Sequence, residues 1–312
     1  MNILYIGTSD FAIEPLNAIV NNGYNIVGII TQKDKTGGRG KKLIKSPVKC
    51  FAEKKKIGIL QPENINSESV KEFIKVNNVN LGIVVSYGQM IKQEIFSLPD
   101  LGMINIHPSL LPKYRGASPI QTCLLNGDIK TGVSVIRITD KMDAGCILLQ
   151  KEVAVDINDN YFTLQNLLAQ TGKELIIKFL KILESGNRVG ETIQNEEEAT
   201  YCKLIRKEDA LINWNEPAVN IHNKIRAFAK WPVAFTYLKG KILKIYQSNY
   251  MNDAVTDKQP GTLIKLSKNK LLLVCGDNKM LEILKLQLQG KKILSAVDFL
   301  NGIKIETGDL LG

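Results

Sequence analysis

The stretch Leu81-Gly82-Ile83-Val84-Val85-Ser86 is apolar and shows no alternation between apolar and polar residues. Such a run is typical of a strand that is buried on both faces, as strands of parallel sheets are. Around it, short apolar runs alternate with segments of helical periodicity. Strands are predicted over 2–7, 25–31, 103–106, 133–138 and 147–155, and helices over 11–21, 47–56, 67–76, 119–125 and 163–184. The alternation predicts an α/β fold with a doubly wound, mostly parallel sheet.

The chain changes character after residue 185. Residues 186–206 contain the acidic run Glu196-Glu197-Glu198 and few large apolar residues, which predicts a linker that crosses the surface. A short predicted helix then precedes apolar runs at 234–238, 243–247, 261–266, 270–275 and 281–287. Runs of this length separated by turns predict a small antiparallel β-domain closed as a barrel. The predicted organisation is therefore a first domain over 1–185, the linker, and a second domain over 207–312.

The charge of the chain is informative about its partners. The 312 residues carry a formal net charge of +10, with a pI of about 9.2. Residues 31–56 hold ten Lys and Arg against two acids, a net of +8, and residues 207–312 hold sixteen against ten, a net of +6. Two separated basic regions are typical of a protein that contacts a polyanion at two places. Charge alone leaves open that these lysines only keep the protein in solution.

Cysteine usage and hydropathy exclude several classes of protein. The five cysteines are an odd number at wide spacings and form no Cys-x-x-Cys pair: Cys50, Cys123, Cys146, Cys202 and Cys275. This pattern favours neither a zinc site nor a redox motif, and it predicts reduced thiols in a cytoplasm. The N-terminus lacks the basic start of a signal peptide, and no stretch of about 18 apolar residues occurs, so we expect no membrane span.

The segment richest in candidate chemistry follows the predicted strand over 103–106. Alternation along the strand places Asn105 and His107 on one face, and Pro108 ends it. The next loop then lies at the carboxyl end of a parallel strand, where open α/β sheets bind ligands. A histidine moves protons near neutral pH and an asparagine donates to an oxyanion, so the pair predicts a catalytic site. A strand-end histidine held by backbone hydrogen bonds is the alternative.

Asp143 is the carboxylate that best completes this pair. It lies in the connection between two later predicted strands and is followed by the small residues Ala144 and Gly145. From there a carboxylate reaches a neighbouring histidine, orients its ring and favours its protonated form. A turn aspartate before glycine is the alternative, and Asp140 competes for the role.

Residues 31–46 form a long connection in which three glycines are interleaved with five lysines and Arg39. A loop of this composition has too few apolar residues to pack a core, and it suits a segment that follows a phosphate backbone and orders on binding. A solvated surface loop is the alternative. Its length favours the functional interpretation, because long connections inside compact domains are usually functional.

Four motifs stand out together along the chain: Asn105-x-His107, Ser109-Leu110-Leu111-Pro112, Tyr114-Arg115-Gly116 and Asp143-Ala144-Gly145. In this combination they resemble the family of formyltransferases that use 10-formyltetrahydrofolate. The resemblance implies a Rossmann-like first domain, a catalytic triad of Asn105, His107 and Asp143, and a folate-contacting loop at Ser109, Leu110, Leu111 and Pro112. Further pteridine contacts are expected, mostly through the main chain, from Tyr87, Gly88, Gln89 and Met90. No metal is expected.

Other motifs resemble the branch of that family that acts on methionyl initiator tRNA: Gly7-Thr8-x-Asp10-Phe11, Gly38-Arg39-Gly40-Lys41-Lys42-Leu43, Ser46-Pro47-Val48-Lys49 and Trp231-Pro232. This implies that Arg39, Lys41 and Lys42 contact the tRNA and that the C-terminal barrel is of OB type and also contacts it. The implied reaction moves the formyl group to the α-amino group of methionyl initiator tRNA, for translation initiation, and we expect a monomer. Ser9, where the family has proline, is a small departure within a turn.

Four other functions remain as alternatives to this one. The same chemistry on a small amine, such as a purine-precursor ribonucleotide or a nucleotide sugar, needs neither the basic loop nor the β-rich second domain. A hydrolase that releases formate from the same folate is disfavoured by the two basic regions. A non-catalytic tRNA-binding protein does not need Asn105, His107 and Asp143, and a nicotinamide oxidoreductase needs a glycine-rich fingerprint that this chain lacks.

Overall fold

The structure, a computed structural model, describes residues 1–37, 42–266, 270–303 and 305–312, and all of their side chains except those of 42 and 252–255. The chain forms two compact units that do not follow chain order. The first unit comprises Met1–Pro119, Lys130–Ala154 and Gln165–Cys202. The second comprises Ile120–Ile129, Val155–Leu164 and Lys203–Gly312, so two short segments from the first half of the chain belong to it.

Among the described residues, the helices are α1 (Ile13–Asn21), α2 (Pro47–Lys55), α3 (Glu68–Val76), α4 (Gln93–Phe96), α5 (Pro119–Asn126), α6 (Tyr161–Glu184), α7 (Ala218–Ala227) and α8 (Ala296–Gly302). The strands are β1 (Asn2–Gly7), β2 (Asn25–Ile30), β3 (Lys35–Gly37), β4 (Lys42–Ile44), β5 (Ile59–Leu60), β6 (Leu81–Val85), β7 (Met103–His107), β8 (Arg115–Gly116), β9 (Lys130–Arg137), β10 (Ile147–Ala154), β11 (Tyr201–Cys202), β12 (Phe235–Leu238), β13 (Lys241–Val255), β14 (Leu263–Leu266), β15 (Lys270–Val274), β16 (Lys279–Leu288) and β17 (Leu294–Ser295).

The first unit is built on a sheet with the strand order β10-β9-β7-β6-β1-β2-β5. The pairs β2–β5, β1–β2, β1–β6 and β6–β7 are parallel, whereas β9 pairs antiparallel with β7 and with β10. Every residue of β6 is buried. The mostly parallel, doubly wound sheet predicted from the sequence is therefore confirmed, and the central position of β6 explains its unbroken apolar run.

The second unit contains an antiparallel sheet in the order β12-β13-β16-β15-β14, with β17 paired to β16. Its core is formed by inward side chains of these strands together with α7 and α8. The C-terminal residues Leu310 and Leu311 bridge to Thr262, next to β14, and to Leu238, at the end of β12. The tail thus joins both ends of the sheet, as closure of a barrel requires. The antiparallel β-domain is confirmed, and its OB type stays a prediction.

Strand β13 is longer than the sequence predicts. Its pairing with β16 shifts register at three places, after Ile245, after Gln247 and after Tyr250. Such irregularities bend a strand and interrupt the simple alternation of buried and exposed side chains. The apolar run of residues 243–247 therefore predicts only the regular first part of the strand.

Helix α2 begins with a side-chain cap. Ser46 accepts a hydrogen bond from the Lys49 amide at 3.0 Å through Oγ, and Pro47 occupies the first turn, where the missing N–H costs nothing. The Thr31 hydroxyl also lies 2.7 Å from Ser46 Oγ. Because Thr31 directly follows β2, this contact ties the start of α2 to the carboxyl end of the sheet.

We predict that Ser46→Ala lowers the free energy of unfolding by about 1 kcal/mol, because it removes a cap that satisfies an otherwise unpaired amide. The matched control is Ser67→Ala. Ser67 precedes α3 in the same capping position, but its hydroxyl makes no cap bond and instead contacts Ser69. Urea unfolding followed by circular dichroism measures both variants, and equal losses would contradict the capping role of Ser46.

Candidate active site

Strand β7, next to the central strand β6, carries two of the predicted site residues to the carboxyl edge of the sheet. In the parallel pairing with β6, Asn105 lies beside Val84, and in the antiparallel pairing with β9, His107 lies beside Ser134. Because residues two apart share a face of a strand, the Asn105 and His107 side chains leave the sheet on the same side. His107 is buried, with 4% of its surface exposed.

Asp143 joins these two residues. One carboxylate oxygen, Oδ1, accepts a hydrogen bond from Asn105 Nδ2 at 3.1 Å. The other, Oδ2, accepts a hydrogen bond from the Gly116 amide at 2.9 Å and lies 3.6 Å from His107 Nδ1. The structure therefore brings Asn105, His107 and Asp143 together, although 38 residues separate Asn105 from Asp143 along the chain.

The His107 ring faces an oxygen on each side. Nε2 lies 2.9 Å from the carbonyl oxygen of Tyr114, which only accepts, so Nε2 carries the hydrogen of that bond. Nδ1 faces the Asp143 carboxylate. The Tyr114 carbonyl and the Asp143 carboxylate therefore lie on opposite sides of the ring and together set its orientation.

A buried polar side chain outside the predicted site supports Asp143, and no sequence motif indicates it. Gln194 is buried and donates through Nε2 to the carbonyl oxygens of Asp143, at 2.8 Å, and Gly145, at 2.7 Å. Arg115, with 1% of its surface exposed, binds Gln194 Oε1 and both carboxylate oxygens of Glu196. This guanidinium holds the pKa of the Glu196 carboxyl below its usual value. Arg115 lies 79 residues from Gln194, and Gln194 lies 51 residues from Asp143, so no local pattern reveals these contacts.

These contacts belong to the segment predicted as a linker. Thr192 bridges to Ile147, β11 pairs in parallel with β8, and Cys202 is buried. Residues 192–202 therefore pack against the first unit rather than crossing its surface freely.

The Ser109–Pro112 loop is fixed mainly by internal hydrogen bonds. Ser109 is fully buried and donates through Oγ to the Lys113 carbonyl at 2.7 Å. Ser134 Oγ donates to the Ser109 carbonyl and accepts from the Leu111 amide and from Gln150. Leu111 is buried and Leu110 is half-buried, and the Leu111–Pro112 peptide is cis. The Ser109 hydroxyl therefore shapes the loop, and a contact with folate stays a prediction.

The turn after β6 contains the other four predicted folate contacts. The Tyr87 carbonyl accepts hydrogen bonds from Gln32 Nε2 at 2.6 Å and Thr8 Oγ1 at 3.3 Å, which tie the turn to the carboxyl ends of β1 and β2. Gly88 has a φ of +91°, which favours glycine, and a Cβ there would lie 2.8 Å from Gln32 Nε2. Gln89 binds the Ile65 amide and the Glu63 carbonyl. Met90 is exposed.

Comparison with known proteins identifies the family. The formyl transferase family model matches residues 1–180, and the model of the formyl transferase C-terminal domain matches residues 204–304. The chain belongs to the formyl transferase family. It is a formyltransferase in which both the catalytic and the C-terminal regions of the family are present.

Relatives of the formyltransferase cover the whole chain. A methionyl-tRNA formyltransferase from Kosmotoga olearia is 39% identical over 312 residues, 100% of both chains. One from Thermotoga neapolitana is 41% identical over 99% of this chain and 97% of its own. Among solved structures, the sugar 3N-formyl transferase WlaRD, studied with dTDP and 5-N-formyl-THF, superposes with a TM-score of 0.69 over 94% of this chain and 99% of its own, at 23% identity. At that identity the likeness shows the fold alone.

The structure describes the basic loop, residues 31–46, only before residue 38 and after residue 41. Arg39 and Lys41 lie outside the described residues, and so does the side chain of Lys42. Strands β3 and β4 pair as an antiparallel hairpin. Below it, Asp34 accepts hydrogen bonds from Lys49 at 2.7 Å and Gln61 at 2.9 Å, and these contacts lower the pKa of Asp34.

Two features are absent from the part of the formyltransferase that the structure describes. Within it, no three His, Cys, Asp or Glu side chains come together in a way that would hold a metal ion. In the same residues, no helix is both long enough and apolar enough to span a membrane.

We predict that Tyr87→Phe leaves the formyltransferase folded and raises its free energy of unfolding by about 1 kcal/mol. The Tyr87 hydroxyl is buried and has no hydrogen-bond partner among the described residues, which is an unfavourable state for a polar group. Tyr237→Phe is the control, because that side chain is 38% exposed and its change should have little effect. A loss of stability in Tyr87→Phe would mean that the hydroxyl is paired.

We also predict that the stability difference between Tyr87→Phe and the unmodified protein grows at high pH. Burial raises the pKa of Tyr87 to about 12, above the unfolded value of 10.0. A group with a raised folded pKa contributes stability that is fully present below the unfolded pKa and is lost as the pH rises through the folded one. Urea titrations are made from about pH 9 to about pH 12, a range that spans both pKa values. As the pH rises, the unmodified protein should lose stability relative to Tyr87→Phe.

Proposed function

We propose that this formyltransferase moves the formyl group of 10-formyltetrahydrofolate to the α-amino group of methionyl initiator tRNA, for translation initiation. The observation that carries the reaction is the Asp143 carboxylate, which contacts Asn105 and faces His107 at the carboxyl edge of the sheet. The acceptor is supported by relatives of 36–41% identity that are named methionyl-tRNA formyltransferase and match essentially the whole chain. We further propose a cytoplasmic monomer.

Asn105 is the proposed donor to the formyl oxygen. A side-chain amide carries two hydrogens on its nitrogen, and Asp143 accepts one of them. This contact fixes the amide plane and leaves the other hydrogen for the formyl oxygen. As the amine attacks, negative charge develops on that oxygen, and a donor already in place stabilises it without reorganisation.

His107 and Asp143 are the proposed route for the proton. The attacking amine must lose a proton when its nitrogen bonds to the formyl carbon, and N10 of the folate must gain one when its bond to that carbon breaks. We assign the transfer to His107, directly or through water, with Asp143 stabilising the charged ring. The Tyr114 carbonyl holds Nε2 in this structure, so the ring gives up or shares that bond during transfer.

Contacts to both substrates outside the triad are also proposals. For folate they are the Ser109–Pro112 loop and the turn from Tyr87 to Met90, where Gly88 and Met90 are exposed. For tRNA they are Arg39, Lys41, Lys42 and the β-domain, whose region of residues 207–312 carries a net charge of +6. Phosphate contacts of this kind position a nucleic acid without reading its sequence.

The direct test is formyl transfer from 10-formyltetrahydrofolate to methionyl initiator tRNA, with methionyl elongator tRNA, free methionine and a nucleotide amino sugar as parallel acceptors. We expect formyl-methionyl initiator tRNA as the main product. Transfer to a nucleotide amino sugar in place of tRNA, or release of formate alone, would overturn the proposed acceptor. The three products are separated by acid precipitation of the tRNA and chromatography of the supernatant.

We predict that Asn105→Ala lowers kcat roughly 100- to 1000-fold, the usual effect of removing one oxyanion donor. Asn80→Ala is the matched control. Asn80 also donates through its amide to an aspartate, Asp100, at 3.0 Å, but it lies at the amino end of β6. The measurement is the single-turnover transfer rate of each variant, which should fall in Asn105→Ala and not in Asn80→Ala. Full turnover by Asn105→Ala would remove Asn105 from the mechanism.

A further inference from the structure

The main chain at Asp143 has a conformation that is uncommon for residues other than glycine. Its φ of +51° lies in the left-handed region, which residues with a Cβ rarely adopt. The turn is also packed closely, because a Cβ on Gly145 would lie 1.9 Å from the carbonyl oxygen of Arg137 on β9. The direction of the Asp143 carboxylate follows from this backbone, so whatever stabilises the turn also sets the position of the carboxylate.

Gln194 holds the turn at two points. Its Nε2 donates to the carbonyl oxygens of Asp143 and Gly145, so both amide hydrogens are used on the same three-residue turn. Its Oε1 accepts two hydrogen bonds from Arg115, at 3.1 Å from Nε and 2.9 Å from Nη2. The partners determine the orientation of the Gln194 amide. Its oxygen must face the guanidinium, which only donates, and its nitrogen must face the carbonyl oxygens, which only accept.

Arg115 anchors Gln194 in turn. The side chain is buried, and its Nη1 and Nη2 each lie 2.9 Å from one carboxylate oxygen of Glu196. Such a paired contact fixes the guanidinium plane. The neighbouring residue Gly116 donates directly to Asp143 Oδ2. The two residues of β8 therefore act on Asp143 from both sides: Gly116 on the carboxylate, and Arg115, through Gln194, on the main chain.

We propose that Gln194 and Arg115 are positioning residues for the transfer reaction, which hold Asp143 where its carboxylate contacts Asn105 and faces His107. They touch neither substrate in this assignment. The inference rests on the proposed function for its kinetic consequence, and on the hydrogen bonds alone for its structural consequence. It makes residues 192–202 part of the active site rather than only a connection between two domains.

The decisive variant is Gln194→Glu. It keeps the size of the side chain and an acceptor for Arg115, but it replaces the two donors with an oxygen that faces two carbonyl oxygens. We expect kcat to fall roughly 10- to 100-fold, the effect of a small misplacement of a reacting group. The KM values for both substrates should change little, because no substrate contact is lost. Glu196→Gln, which weakens the Arg115 anchor at an exposed side chain, should lower kcat less.

The matched control is Glu191→Gln. Glu191 pairs with Arg137 at 3.0 Å in the same segment of the chain, and its own side chain is exposed. Its kcat should be unchanged. A double-mutant cycle with Asp143→Asn then separates positioning from general destabilisation. If Gln194 acts through Asp143, Gln194→Glu should change kcat less than about twofold in the Asp143→Asn background. If the kcat losses of Gln194→Glu and Asp143→Asn instead multiply in the double variant, the proposal is overturned.

A readout that does not depend on activity is hydrogen exchange of the Gly116 amide, which is bonded to the Asp143 carboxylate. We expect faster exchange in Gln194→Glu and an unchanged rate in Glu191→Gln. An unchanged rate in both would overturn the positioning role even if transfer is slow. If the unmodified protein makes no formyl-methionyl-tRNA, the proposed function fails, and the exchange rates still decide whether Gln194 holds Asp143. Should Gln194→Glu not fold, Glu196→Gln supplies the same comparison.

Discussion

The Asp143 carboxylate is the interaction on which the rest of the site depends. It is bonded to Asn105 and to the Gly116 amide, and it faces the His107 ring, so a single group connects three separate segments. A charged acceptor of this kind orders its donors more strongly than a neutral one does. The parallel sheet makes the contact possible, because it ends β7 at His107 on the edge where the connection between β9 and β10 passes.

Around that contact, the structure satisfies buried polar groups through side chains distant in sequence. Ser134 and Gln150 support the loop that begins at Ser109, while Gln194 and Arg115 support Asp143. Buried polar groups without partners are costly, so a site built on irregular backbone needs such partners. The reacting groups therefore lie on a strand end and a turn, and longer-range hydrogen bonds hold both of them in position.

How much of the site was predictable depends on the distance between partners along the chain. Asn105 and His107 were predictable as a pair because alternation on one strand is a local rule. Asp143 was less predictable, because no local rule says which turn meets that strand, and the small residues after it were the only local signal. Gln194 lies among polar and acidic residues that resemble a linker, so nothing near it reveals that its side chain is buried 51 residues beyond the aspartate it binds.

The sequence by itself determined the α/β class, the change to an antiparallel β-domain near residue 207, the basic composition and the positions of the candidate reacting groups. These follow from apolar periodicity, turn residues and charge, all of which act over a few residues. Only the tertiary structure decided the strand order, the exchange of segments 120–129 and 155–164 into the second unit, and the support of Asp143 by Gln194 and Arg115. Those features depend on contacts between distant segments, which local patterns do not encode.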